Sequence, residues 1–149
     1  MQQFLRDYEL NLGLTQEDYA DFGKFVGIYV SEIEQNPGHY NWENPEFRHY
    51  CAQNGIQQKG TKAKRIQDNH FWFDADKPAS MVPKDVAHNF MRHIRNAFSH
   101  GKITVYRGRH NSKYYSVLDF NTGGSQTMSG KIRSDLLWGM IEKLINSRI

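Results

Sequence analysis

The chain has 149 residues, 38% of them hydrophobic and 13% aromatic, and its formal net charge is +3. That length fits one domain with its own core, expected over residues 1–149, and many aromatics with a small net charge exclude a disordered chain. The single cysteine, Cys51, excludes an intrachain disulfide and a cysteine zinc cage; residues 1–7 lack a secretory leader pattern and no apolar run approaches about 18 residues, so a cytoplasmic protein away from the membrane is expected.

Thr15-Gln16-Glu17-Asp18 resembles a capping box with Asp in the usual Glu place, so a helix is predicted with Thr15 as N-cap. Tyr19, Phe22, Val26, Tyr29 and Ile33 then recur at three- and four-residue steps, an amphipathic helix ending before Asn36-Pro37-Gly38. Asn44-Pro45 pairs a capping residue with proline at the first helical position and predicts a second helix reaching about Asn54-Gly55. Residues 57–69 are polar and hold Lys59, Lys62, Lys64 and Arg65; their second half is expected to be helical, with a loop as the alternative. His70-Phe71-Trp72-Phe73 is expected to pack on the core rather than to stack on bases, and residues 74–80 to form a loop.

The clearest helix pattern runs from Pro83 to His100. Proline suits the first helical position, and Gly101 suits the left-handed residue that ends a helix. Val86, Phe90, Ile94, Ala97 and Phe98 mark its buried face. The period then changes to that of strands over residues 102–106 and 113–120, with turns at 108–112 and 122–125, which predicts a two- or three-stranded antiparallel meander. From Ser134 a final helix carries Leu136, Leu137, Met140, Ile141, Leu144 and Ile145 as a wide apolar stripe. The expected fold class is mainly α, a helical bundle with a small antiparallel meander inserted before the last helix.

The helix before Gly101 also carries the candidate site. His88, Arg92, Asn96 and His100 follow at steps of four and share one stripe, expected to face solvent, with Arg95 and Ser99 in a neighbouring row. His100 sits in the last turn, where the partial negative charge of the helix end favours a cation, and imidazole exchanges protons near neutral pH. Arginine keeps its charge and binds phosphate with a planar fork. A proton-exchanging base and a fixed cation suffice for transesterification of RNA, whose 2′-OH is the nucleophile, so no metal or serine is required.

Arg95-Asn96-x-x-x-His100 resembles the Arg-polar-x3-His motif of the HEPN superfamily (higher eukaryotes and prokaryotes nucleotide-binding domains), and residues 94–103 with the following β segment and helix resemble a plasmid- and defence-associated subfamily. The resemblance implies a HEPN-like helical bundle, a homodimer that brings two motifs into one cleft, and metal-independent endoribonuclease activity in a toxin or phage-defence effector. RNA and an antitoxin protein are the further partners it implies, and no cofactor or metal. His100 would act as general base or acid, Arg95 would bind the scissile phosphate, and Asn96 would orient His100, with Arg92, His88 and Lys102 as substrate-binding residues. The alternative is a non-catalytic RNA- or nucleotide-binding or protein-interaction module. Some members carry a tyrosine two residues after the histidine, the target of an adenylyltransferase antitoxin; here that position is Lys102. On a regular helix Arg95 and His100 point about 140° apart, so they converge only if the last turn loosens or a partner subunit completes the site.

A second string with the same spacing, Arg65 to His70, has an apolar residue after the arginine and lacks the amphipathic context. Lys59, Lys62, Lys64 and Arg65 form one basic run and Arg107, Arg109 and Lys113 another; each is weighed as an RNA track against a solvated surface. His93 reads as a flanking surface or packing residue. His88 and His93 lack metal-ligand spacing, Ser99 lacks a nucleophile-elbow context, and Cys51 reads as a small buried hydrophobe.

Overall fold

The computed structural model describes residues 16–36, 38–60, 62, 65–74 and 86–148. Helix α1 (Gln16–Gln35) follows the three-and-four spacing of Tyr19, Phe22, Val26, Tyr29 and Ile33, all of them buried. The cap expected at Thr15 lies outside the described residues, as do Pro83 and most of the 74–80 loop. Helix α2 (Pro45–Gln53) starts as its residues dictate: Asn44 Oδ1 accepts from the N–H groups of Glu46 and Phe47 at 3.0 and 3.1 Å. Such a cap is worth about 1 kcal/mol. Helix α3 (Val86–Ser99) buries Phe90, Ile94, Ala97 and Phe98. It stops in a Schellman turn, with Lys102 N–H donating to Ala97 O at 2.8 Å, Gly101 N–H to Phe98 O at 3.3 Å, and Gly101 at φ 65°. Helix α4 (Ser134–Ile145) buries all six residues of its expected stripe.

The strands are β1 (Gln57–Gln58), β2 (His70–Phe73), β3 (Ile103–Arg107), β4 (Lys113–Phe120) and β5 (Gln126–Arg133). They join into one sheet ordered β1-β2-β5-β4-β3, with β1 parallel to β2 and every other pair antiparallel. The mainly α helical bundle is therefore corrected to an α/β fold with a five-stranded mixed sheet. The expected meander exists as β3-β4-β5, and β2 extends it: Phe71 pairs with Gly130 and Trp72 with Ser129. A four-residue aromatic run has no period, so its assignment depends on a partner strand. The helix expected within residues 57–69 is likewise absent among the described residues; Gln57 and Gln58 form β1 and residues 65–69 are irregular.

The helices cover one sheet face. Phe71, Phe73, Tyr115, Val117, Met128 and Ile132 point into the core with α1, α3 and α4. Trp42 packs among Phe47, Phe71, Phe73 and Phe90. Phe22 fits edge-on against Phe98 and Trp138 at 4.7 and 4.4 Å between ring centroids. Emptying one such position costs about 3–5 kcal/mol. Near the C-terminus, Arg148 Nη2 reaches Glu32 Oε1 at 3.0 Å and Nε donates to His39 Nε2 at 2.8 Å, tying the end of the chain to α1. No helix among the described residues is long and apolar enough to cross a membrane.

Candidate functional site

Helices α1 and α3 run antiparallel, and two glycines set how closely. A Cβ at Gly23 would lie 2.3 Å from Ser99 Oγ and 3.0 Å from Ser99 N, and one at Gly27 would lie 3.3 Å from Arg95 Cδ. Two turns beyond Gly27 on the same side, Glu34 Oε1 lies 3.2 Å from His88 Nε2. The stem of Arg95 thus lies in the seam between the helices, and its guanidinium emerges half-buried.

A chain of polar contacts holds that guanidinium. Arg95 Nε and Nη2 both donate to Asn96 Oδ1, at 3.2 and 3.0 Å. Asn96 Nδ2 donates to Asp119 Oδ2 at 3.1 Å. The same carboxylate oxygen lies 2.8 Å from His93 Nδ1, and Phe120 N–H donates to Asp119 Oδ1 at 2.9 Å. Arg95 Nη1 stays without a partner among the described residues. Asp119 is a charged residue at a core-facing strand position, in register with Tyr115 and Val117. The pairing shifts at Asp119/Phe120, and such an irregularity re-aims a side chain at the end of a ladder. Burial pushes the Asp119 carboxyl up; the hydrogen bonds from His93 and Asn96, the pull of His93 and the Phe120 N–H outweigh that and hold it below the usual carboxylate range. Burial pushes the Arg95 guanidinium down from its ordinary value, and Arg92 acts the same way, against Glu34 and Asp119. It keeps its charge, since arginine does not deprotonate in proteins.

The expected stripe does not stay together. His88 is 1% exposed and spent on Glu34. Arg92 is half-buried, its Nη2 3.2 Å from His93 Nε2 and 3.4 Å from Asn89 Oδ1. Asn96 points at Asp119 rather than at His100. His100 and Lys102 are exposed, and the His100 ring makes no hydrogen bond among the described residues. Because the last turn closes regularly, with His100 N–H donating to Asn96 O at 3.0 Å, Arg95 and His100 diverge within one chain by the regular helical angle. The competing string is not helical: Arg65 is exposed on irregular backbone and His70 starts β2.

Asp119 is the residue that sequence reading missed, and His93, expected as a flanking surface or packing residue, is buried. His93 stands three after Phe90 and four before Ala97, a core position, and it is 1% exposed. Its Nε2 lies 3.1 Å from the Asp74 carbonyl oxygen, so both ring nitrogens are engaged and no edge is open to a substrate. The pair positions; it does not act as an accessible base. Among the described residues no group of three His, Cys, Asp or Glu side chains is placed to hold a metal ion. A cavity of about 530 Å³ lies elsewhere, walled by Arg48, Cys51, Ile56, Gln57 and Gln58, and holds none of the motif residues.

What the arrangement offers is a guanidinium fixed from behind, with donors left over, and an open imidazole at the same helix end. No family model, curated protein or solved structure matches the chain.

Proposed function

We propose that the protein is a metal-independent endoribonuclease whose site is shared between two copies of the chain. The observation that carries the reading is the Asp119–Asn96–Arg95 relay, which fixes a phosphate-binding fork while leaving Nη1 without a partner among the described residues. A guanidinium held in advance loses little freedom on binding a transferring phosphate, and its fixed charge matches the charge that develops there. The local match of Arg95-Asn96-x-x-x-His100 to the HEPN motif supports the same chemistry.

The reaction needs two proton transfers. The 2′-oxygen attacks phosphorus as its proton passes to an imidazole, the bond to the 5′-oxygen breaks, and that oxygen takes up a proton. At the end of α3 one chain supplies one open imidazole among the described residues, His100, and directs it away from Arg95. A second copy supplies the other imidazole and can set His100 of one chain against Arg95 of its partner. Products are a 2′,3′-cyclic phosphate and a 5′-hydroxyl. Lys102, exposed beside His100, would bind the flanking backbone, and Arg92 would support the phosphate; His88 would act through the α1 contact rather than by touching RNA. The biological setting would be a cytoplasmic toxin or phage-defence effector, with an antitoxin protein as a further partner.

The test is cleavage of varied RNAs in EDTA by wild type, His100→Ala and Arg95→Ala. We expect cyclic-phosphate ends from wild type and a loss of about 10²–10⁴-fold in His100→Ala. Intact RNA with folded wild type, or equal cutting by His100→Ala, sinks the reading. RNA affinity without cleavage, insensitive to His100→Ala, identifies a non-catalytic binding module instead.

A further inference from the structure

The small net charge conceals a strong asymmetry. Residues 86–118 hold Arg92, Arg95, Lys102, Arg107, Arg109 and Lys113 and no Asp or Glu, so this stretch carries +6 and the remainder of the chain −3. Three of the six are exposed: Lys102 immediately before strand β3, Arg107 at its end and Arg109 in the turn that follows. Among the described residues β3 is an edge strand. Leu118 N–H donates to Lys102 O, which makes Lys102 and Leu118 a hydrogen-bonded pair. By the alternation of an antiparallel ladder, Ile103, Val105 and Arg107 then turn their own N–H and C=O groups to the open edge.

The turn beyond is closed by its own backbone hydrogen bonds. His110 and Asn111 hold φ of 56° and 58°, and Ser112 N–H donates to Arg109 O at 3.1 Å, a type I′ arrangement that matches strand twist. Arg107 Nη1 donates to Asn111 O at 3.2 Å and closes it. Asp68, which reaches β3 from the loop before β2, is occupied by the Tyr106 hydroxyl at 2.8 Å.

We infer that the free edge of β3 and its turn form a binding track for single-stranded RNA, along which the backbone leaves the phosphate at the α3 terminus and runs past Arg107 and Arg109. The inference rests on the reading of that terminus as an RNA site. β3 starts three residues after His100 and extends about 17 Å at roughly 3.4 Å per residue. Outward N–H groups recur about every 7 Å along it, with guanidinium groups at the far end, and a polyanion is bound by such a row without regard to sequence. A second copy fits the same edge poorly: Lys102 and Arg107 bracket the strand with charges of one sign in both chains, and edge charges of one sign oppose strand addition.

The experiment titrates the full chain with a fluorescent 2′-O-methyl oligoribonucleotide, which lacks the nucleophile and reports binding without cleavage. Wild type, Arg107→Ala/Arg109→Ala and Arg107→Lys/Arg109→Lys are compared over a range of salt, with size exclusion in parallel. Each phosphate contact on a single strand contributes about 0.7 to the slope of log affinity against log salt, so we expect the alanine pair to bind several-fold more weakly with a slope smaller by about 1.4. The lysine pair is expected to stay near wild type. An alanine pair that binds like wild type, a wild type without affinity, or a change of oligomeric state in the alanine pair overturns the track, the last by making the edge an interface between copies. Binding that follows the expectation while unmodified RNA stays intact leaves the track standing and removes the nuclease reading; cleavage with unchanged binding by the alanine pair does the reverse.

Discussion

Asp119 is where a single side chain governs the most. It accepts from His93, Asn96 and Phe120 inside the core, and its removal leaves buried donors without a partner. Asp119→Ala is expected to cost about 3 kcal/mol, read as a lower urea midpoint at unchanged slope. Its folded carboxyl is held below the ordinary 3.8. The ionised form therefore stabilises the fold above that value, and the contribution is lost as pH falls through the lower folded one. Asp119→Asn should flatten that acid limb, and an unchanged limb would refute the assignment. In Asp119→Ala Asn96 loses its acceptor, so the Arg95 guanidinium loosens, and RNA cleavage should fall further than the fraction of folded protein does. Position 119 was legible as a strand residue with its side chain on the Tyr115 and Val117 face. That its partners are His93 and Asn96 was not, because strand alternation gives a side but not the helix packed on that side.

At the scale of elements, the α1–α3 seam decides how Arg95 is presented. Gly23→Ala must move Ser99 backbone, since the new Cβ would sit 3.0 Å from its nitrogen. Overpacking of this kind costs about 1–3 kcal/mol, which outweighs the roughly 1 kcal/mol that alanine gains in helix propensity. Gly27→Ala meets only the flexible stem of Arg95, at 3.3 Å. Its thermal stability should stay at or above wild type while RNA cleavage drops, because the stem is displaced from its seam. Parallel melting and activity measurements on the two variants separate these outcomes. The helices themselves were readable from spacing and caps: Asn44-Pro45 begins α2, Gly101 ends α3, and the apolar steps give α1 and α4. Neither the glycine pair nor the pairing of α1 with α3 has a local signal, because both depend on which helix lies opposite.

For the whole molecule, the proposed sharing of the site between copies has a direct consequence. Arg95→Ala and His100→Ala should each be inactive alone, and mixing them should restore a small part of the activity, since a mixed dimer keeps one Arg95–His100 pair across the interface but one of the two imidazoles, water taking the place of the other. Absence of restoration after verified subunit exchange would place both groups in one chain. The sheet is the other property of this scale. Residues 102–106 and 113–120, with the turn at 122–125, announce a two- or three-stranded meander, yet His70-Phe71-Trp72-Phe73 becomes a strand only because β5 offers it an edge. That addition, with β1 paired beyond it, turns an expected helical bundle into an α/β layer.

Local chemistry settles the elements whose stability is local. Helix periods, the Asn44 cap, the Gly101 stop and the 108–112 turn depend on neighbours within a few residues, and each follows from the chain read in order. Tertiary packing alone settles the rest: the fourth and fifth strands, the burial of His88, and the turning of Asn96 away from His100 toward Asp119. Each of these is a choice between partners distant in sequence, where burying a polar group is tolerable only with its hydrogen bonds made. The dense polar face of α3 was visible as composition. Its division into a buried relay and an open end came from the strand and the helix that close over it.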